Sequence, residues 1–293
     1  MTQRFFKQGF AAATARPGLV GLLYAFGLVV ALIVTVPIFL TLASVTGTSG
    51  FSPVLSAQFD VALWADIMED AGSTFQALQL QLFWIIPFFL LWKTASSVGV
   101  ISTLYTNGAT SFWEGLGEYT GRAVLLALVF LVPIVALSVG IAVVTFALTM
   151  IWTGEVGGYW IFVVILPVMI VLGFALLDLM HDYARMELVI GNKPVMESMI
   201  SGLTWPFRNG GAAVLYAGWF IVALILIAVP TIIDLRPGGL WGVFLLQQIV
   251  LFVRAATTVG WFGSEVAYYD AVVTAEMPSI AEEEPTFTKE SLA

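Results

Sequence analysis

The stretch Ala123–Ile151, AVLLALVFLVPIVALSVGIAVVTFALTMI, runs for 29 residues without a charged side chain. A helix rises about 1.5 Å per residue, so roughly 20 apolar residues cross a bilayer core. A surface helix of a soluble domain keeps a polar face over such a length. This one has none, and it predicts a transmembrane helix. Five more spans follow from the same reading, at about 18–45, 78–104, 159–181, 211–233 and 239–266. Composition agrees. Of 293 residues, 60% are hydrophobic and only 10% charged, whereas soluble chains carry about 25% charged residues. The mean hydropathy is +0.98. The expected class is all-α: a polytopic membrane protein with six transmembrane helices.

The first span is not expected to be a cleaved signal peptide. It is longer than a signal h-region, and no small-x-small site follows at the right distance. Pro37, Pro87, Pro133, Pro167 and Pro230 fall inside spans, where neighbouring helices can absorb the kinks. Six spans place both termini on one side, and basic residues choose it. Arg4, Lys7, Arg16, Arg122, Arg185, Lys193, Arg208 and Lys289 lie on the N-terminal side, against Arg236 alone on the other. By the positive-inside rule both termini are expected in the cytoplasm. The outer side then holds one long loop, 46–77. In it Phe59, Leu63 and Ile67 recur every four residues, with acids on other faces. That pattern reads as an amphipathic helix on the outer interface or as a partner-docking helix. Trp84, Trp152, Trp160 and Trp241 near the outer span ends suit an interfacial aromatic belt.

The chain repeats a unit three times. Phe6-Lys7-Gln8-Gly9-Phe10 followed by Arg16 matches Phe112-Trp113-Glu114-Gly115-Leu116 followed by Arg122. Met199-Ile200-Ser201-Gly202-Leu203, followed by Arg208 and Asn209, is the third copy. Each reads as an interfacial amphipathic helix that turns into the bilayer before an odd-numbered span. A second match links Lys93-Thr94-Ala95-Ser96-Ser97-Val98-Gly99 in span 2 to Arg254-Ala255-Ala256-Thr257-Thr258-Val259-Gly260 in span 6. Three hairpin pseudo-repeats follow, at about 1–107, 108–194 and 195–275, within a single membrane domain. An acidic tail, 276–293, is expected to be disordered. Ala95/Gly99 and Ala256/Gly260 are small-x-x-x-small pairs that let helices approach closely.

These pre-span helices, the Gly-Val-Ile-Ser-Thr-Leu-Tyr end of span 2 (Gly99–Tyr105) and the Asp182-Tyr183-Ala184-Arg185 end of span 4 carry a resemblance. The chain resembles the six-span bacterial integral membrane proteins related to the membrane region of glycerophosphodiester phosphodiesterases, over most of residues 1–275. The resemblance implies a fold and a bacterial cytoplasmic membrane. It implies no phosphodiesterase activity, because the soluble catalytic domain of those enzymes has no counterpart here.

Charges inside the bilayer cost about 2.5–3.5 kcal/mol each at its centre on insertion scales and so mark candidate sites. Lys93 and Arg254 stand about 15 residues, roughly 22 Å, from the outer ends of their spans. Two readings stand: they snorkel to cytoplasmic headgroups, or they face the bundle centre and hold an anion, either Asp178 or a bound ligand. Asp178, His181, Asp182 and Arg185 recur at i, i+3, i+4 and i+7, hence on one helix face. With Glu265 they form an ion-pair network or a relay; a metal site, with Glu265 or Asp270 added, is the weaker reading.

Catalysis finds little support. There is no Cys and only one His, which excludes thiolate chemistry, disulfides and multi-His metal sites. Gly47-Thr48-Ser49-Gly50 has the Gly-x-Ser-Gly form of intramembrane serine proteases, but Ser49 and His181 fall at opposite faces of the bilayer. Asp182-Tyr183-Ala184-Arg185 echoes the CDP-alcohol phosphotransferase signature without its Asp-Gly and downstream Asp residues. No phosphate loop occurs, no cofactor motif is present, and no basic cluster suggests nucleic acid. Expected is a non-catalytic membrane protein, a scaffold or accessory subunit binding a membrane partner or lipid. The alternative is a transporter or channel for an anionic or lipid-like molecule, using Lys93 and Arg254.

Overall fold

A computed structural model describes residues 2–46, 65, 69, 72–152, 154–232 and 239–276. The amphipathic stretch 59–70 (Ala65 and Glu69 apart), the segment Gly47–Gly50 and the tail beyond Glu276 lie outside the described residues. Among the described residues every regular element is helical. In chain order they are α1 (Thr2–Ala15), α2 (Pro17–Thr46), α3 (Gly72–Tyr105), α4 (Phe112–Val129), α5 (Leu131–Ile151), α6 (Glu155–Tyr159), a π-helical turn (Trp160–Ile165), α7 (Leu166–Val189), α8 (Val195–Arg208), α9 (Gly210–Ile232) and α10 (Gly239–Glu276). Six segments are long and apolar enough to span a membrane, with α4–α5 acting as one and α6–α7 as another.

Local sequence sets the breaks. Pro17 opens α2 immediately after α1. It has no N–H to lose at a first helical position. Asn209 ends α8 in a non-helical conformation (φ −123°, ψ 77°) just before α9. The second unit differs: no proline or Asn-Gly follows Arg122, so the amphipathic helix runs on into the span as far as Val129. The break moves to Phe130. Pro133 accounts for it, because its ring crowds the carbonyl four residues back, on Val129. Pro167 acts similarly. A π-turn ends at Ile165, just before it, as helices do when they absorb a mismatch in the i to i−4 ladder. Pro37 and Pro87 lie inside unbroken helices.

Two spans outlast their hydropathy. Helix α7 continues to Val189, eight residues past the sequence expectation, and α10 to Glu276, ten residues past it. In both, the chain is still helical where it becomes polar. Arg185, placed with the cytoplasmic charges by sequence, therefore lies within α7 and is buried.

The amphipathic helices do not simply rest on lipid. Each packs on the end of an even-numbered span, and these are the most extensive helix pairings: α1 on α10, α4 on α3, α8 on α7. The repeated glycine is the contact in every case. A side chain at Gly9 would overlap Ser264 and the Gly260 carbonyl; at Gly115, Ser102; at Gly202, Ala184. The second and third units thus dock on the hairpin before them, and the first docks on the last, closing a ring. Two turns share a left-handed Asn, Asn107 (φ 53°) and Asn192 (φ 47°), a conformation Asn tolerates better than most residues. Arg122 Nη1 donates to Asn192 Oδ1 at 2.8 Å, and its Nη2 donates to the Lys193 carbonyl. Arg16, at the matching place in the first unit, lines a cavity with Asn107.

The core sits at the end of the bundle nearest the termini. Val98, Ile101, Leu126, Tyr183, Met186 and Val259 are buried there, whereas outer-half side chains such as Trp84 and Ile151 are 73% and 81% exposed. That apolar exposure is what a lipid-facing surface requires.

Candidate functional site

Above this core, the spans diverge around a cavity of about 360 Å³. Lys93 reaches it from α3, Asp178, Asp182 and Arg185 from α7, and Arg254 from α10. The i, i+4, i+7 spacing read from the sequence places the three α7 groups on one face. Thr257 and Thr258 add hydroxyls, and Ala223, Leu226, Ile227 and Val250 form an apolar wall from α9 and α10. Lys93 and Arg254 therefore line one cavity, and both are exposed in it.

The charges divide into a matched and an unmatched set. Arg185 is paired with Asp182 at 2.5 Å, both almost fully buried. The Arg185 guanidinium also lies 5.5 Å from the centre of the Phe262 ring, a cation–π distance. Asp178 is exposed to the cavity, and its Oδ2 accepts a hydrogen bond from the Tyr216 hydroxyl at 3.0 Å. Among the described residues the ion pairs are Arg185–Asp182 and Lys193–Glu187. Neither Lys93 nor Arg254 belongs to one.

A second cavity of about 700 Å³ adjoins the first and shares Lys93, Asp178 and Arg185 with it. It is lined by Lys93, Asp178, His181 and Arg185 together with apolar side chains such as Ile134, Ile170 and Phe174. The charged residues thus stand where two largely apolar cavities meet. His181 lines the second cavity, with its ring 4.7 Å from Phe130; its Nε2 is buried without a partner among the described residues.

Glu265 is not part of either lining. It is fully buried behind the first cavity, where its Oε1 accepts from Trp261 Nε1 at 2.9 Å. Its Oε2 has no partner among the described residues. Tyr183 stacks on Trp205 at 4.2 Å in the same layer. The expected seven-residue cluster is therefore brought together in five members, with His181 adjacent and Glu265 set back. Among the described residues no three His, Asp or Glu side chains converge as metal ligands would.

Tyr216, Trp261 and the α9 wall escaped the sequence reading. A tyrosine deep in an apolar span was the available signal for the first, since a buried phenol seeks a hydrogen-bond partner. The apolar wall carries no local signal. Gln248 behaves as an interhelical polar group, accepting from the Tyr24 hydroxyl at 2.7 Å. No protein-family model matches this chain, and no curated protein and no solved structure is similar to it.

Proposed function

We propose that this is a non-catalytic membrane protein of the bacterial cytoplasmic membrane that binds an amphiphile through its anionic group, as a lipid-binding scaffold or accessory subunit. The supporting observation is the first cavity, where Lys93 and Arg254, in no ion pair among the described residues, stand beside an apolar wall. An unpaired charge at membrane depth is expensive, and a ligand anion offsets that cost. The wall beside it suits an acyl chain, which stays in apolar surroundings there as it does in the bilayer. Both termini face the cytoplasm in this reading.

The test is lipid analysis of the protein extracted with its surrounding lipids, as wild type and as Lys93→Met/Arg254→Met. The wild type is expected to retain an enriched phosphate- or carboxylate-bearing amphiphile, and the double variant to lose it. Equal lipid profiles in two well-folded proteins would overturn the reading.

Transport of the same ligand is the second reading, favoured by the charges shared between two adjoining cavities. Reconstituted vesicles that move a labelled anionic lipid faster than protein-free ones, with the rate lost in the double variant, would establish it. Equal rates with intact binding would leave the binding role alone.

A further inference from the structure

Each of the three hairpins delivers a charge to the first cavity from the same position. In α3, Lys93 stands six residues before Gly99; in α10, Arg254 stands six before Gly260. The left-handed Asn fixes the register of the remaining hairpin. Gly99 lies eight residues before Asn107, and Ala184 lies eight before Asn192. Gly99, Ala184 and Gly260 all lie at the docking contacts of the amphipathic helices. Six residues before Ala184 is Asp178. The equivalent positions are therefore Lys93, Asp178 and Arg254, and all three line the cavity.

The sign in the middle hairpin is inverted. Arg185 does not alter the balance, since Asp182 already matches it. Asp178 receives one hydrogen bond, from Tyr216 to Oδ2, which leaves its other oxygen facing the cavity with no bond among the described residues. A simple anion would satisfy Lys93 and Arg254 but lie close to this carboxylate. A ligand that carries both charges satisfies all three groups.

We infer that the cavity takes a zwitterionic head group: a phosphate ester on Lys93 and Arg254, with a primary ammonium donating to Asp178. A primary ammonium has N–H groups for the free oxygen, which a quaternary one lacks. The apolar wall of Ala223, Leu226, Ile227 and Val250 favours a diacyl phosphate ester of ethanolamine over its soluble counterpart. This inference rests on the lipid-binding reading above and adds the cationic half of the ligand.

The test uses the full-length protein in detergent, titrated with phosphatidylethanolamine, phosphatidylcholine, phosphatidylglycerol or phosphatidic acid and read by native mass spectrometry. Wild type is expected to bind the ethanolamine lipid about tenfold more tightly than the other three, equivalent to about 1.4 kcal/mol. Asp178→Asn keeps an acceptor for Tyr216 and should erase that preference while retaining phosphate binding. Lys93→Met/Arg254→Met should lose all four lipids. Competition by soluble phosphoethanolamine at concentrations similar to the lipid would identify a soluble ester as the source of the same chemistry. No competition would identify the lipid. A wild type that ranks glycerol, acid or choline lipids equal to or above ethanolamine overturns the inference without any variant. An ethanolamine preference unchanged in Asp178→Asn overturns it too. If the double variant binds every lipid as wild type does, the lipid-binding reading itself fails.

Discussion

Asp182 and Arg185 sit one helical turn apart on α7, each about 5% exposed, and neither would be stable there alone. Removing one partner of a buried pair leaves an uncompensated charge, at about 3–5 kcal/mol. Asp182→Ala is therefore expected to destabilise the protein by about that amount, through Arg185. Asp182→Ala/Arg185→Met removes the stranded charge as well and should recover much of the loss. Thermal unfolding in one detergent compares the two, and a double variant less stable than Asp182→Ala would contradict the account. Lys93 and Arg254 differ because no carboxylate lies within ion-pair distance of them among the described residues. Their replacement by Met should raise stability in the absence of ligand, or leave it unchanged. A clear loss would mean that their charges support the fold.

At the scale of elements, the docking glycines carry the assembly. In α4, a side chain at Gly115 would strike Ser102, whereas one at Gly117 meets nothing within 4 Å. Gly115→Leu should cost about 1–3 kcal/mol, the range for overpacking a tight contact. Gly117→Leu should be neutral or slightly stabilising, since leucine is the better helix former. The same measurement decides, and equal effects would remove the docking argument. The glycine was legible in the sequence as a recurring position, because repetition is visible without knowing what it touches. Its partner span was not, because that depends on how three hairpins close into a ring. Spans were legible for a simpler reason: apolar length is a property of each segment alone. The end of α7 was not, because Asp182 and Arg185 are matched by each other and buried. The Tyr216–Asp178 bond depends on the rotation of α9 against α7, which no single-segment pattern records. The charged register of Lys93 and Arg254 was readable, whereas Asp178 joins it only once the left-handed Asn aligns the middle hairpin.

For the whole molecule, an even number of crossings puts α1 and the end of α10 at one face, and their direct packing is consistent with that. In the proposed topology that face is the cytoplasmic one. Arg185 drops out of the count, because it is buried and paired within α7. Seven basic residues still remain against one, and by the positive-inside rule such an excess is expected on the cytoplasmic side. The absence of native cysteine makes the orientation directly measurable. Ala109 and Glu155 are exposed at opposite ends of the third span. In intact cells a membrane-impermeant maleimide should label Glu155→Cys but reach Ala109→Cys only after the membrane is opened. The reverse pattern would invert the protein. It would also carry Lys93, Asp178 and Arg254 to the opposite leaflet, so the lipid that reaches them would come from the outer face.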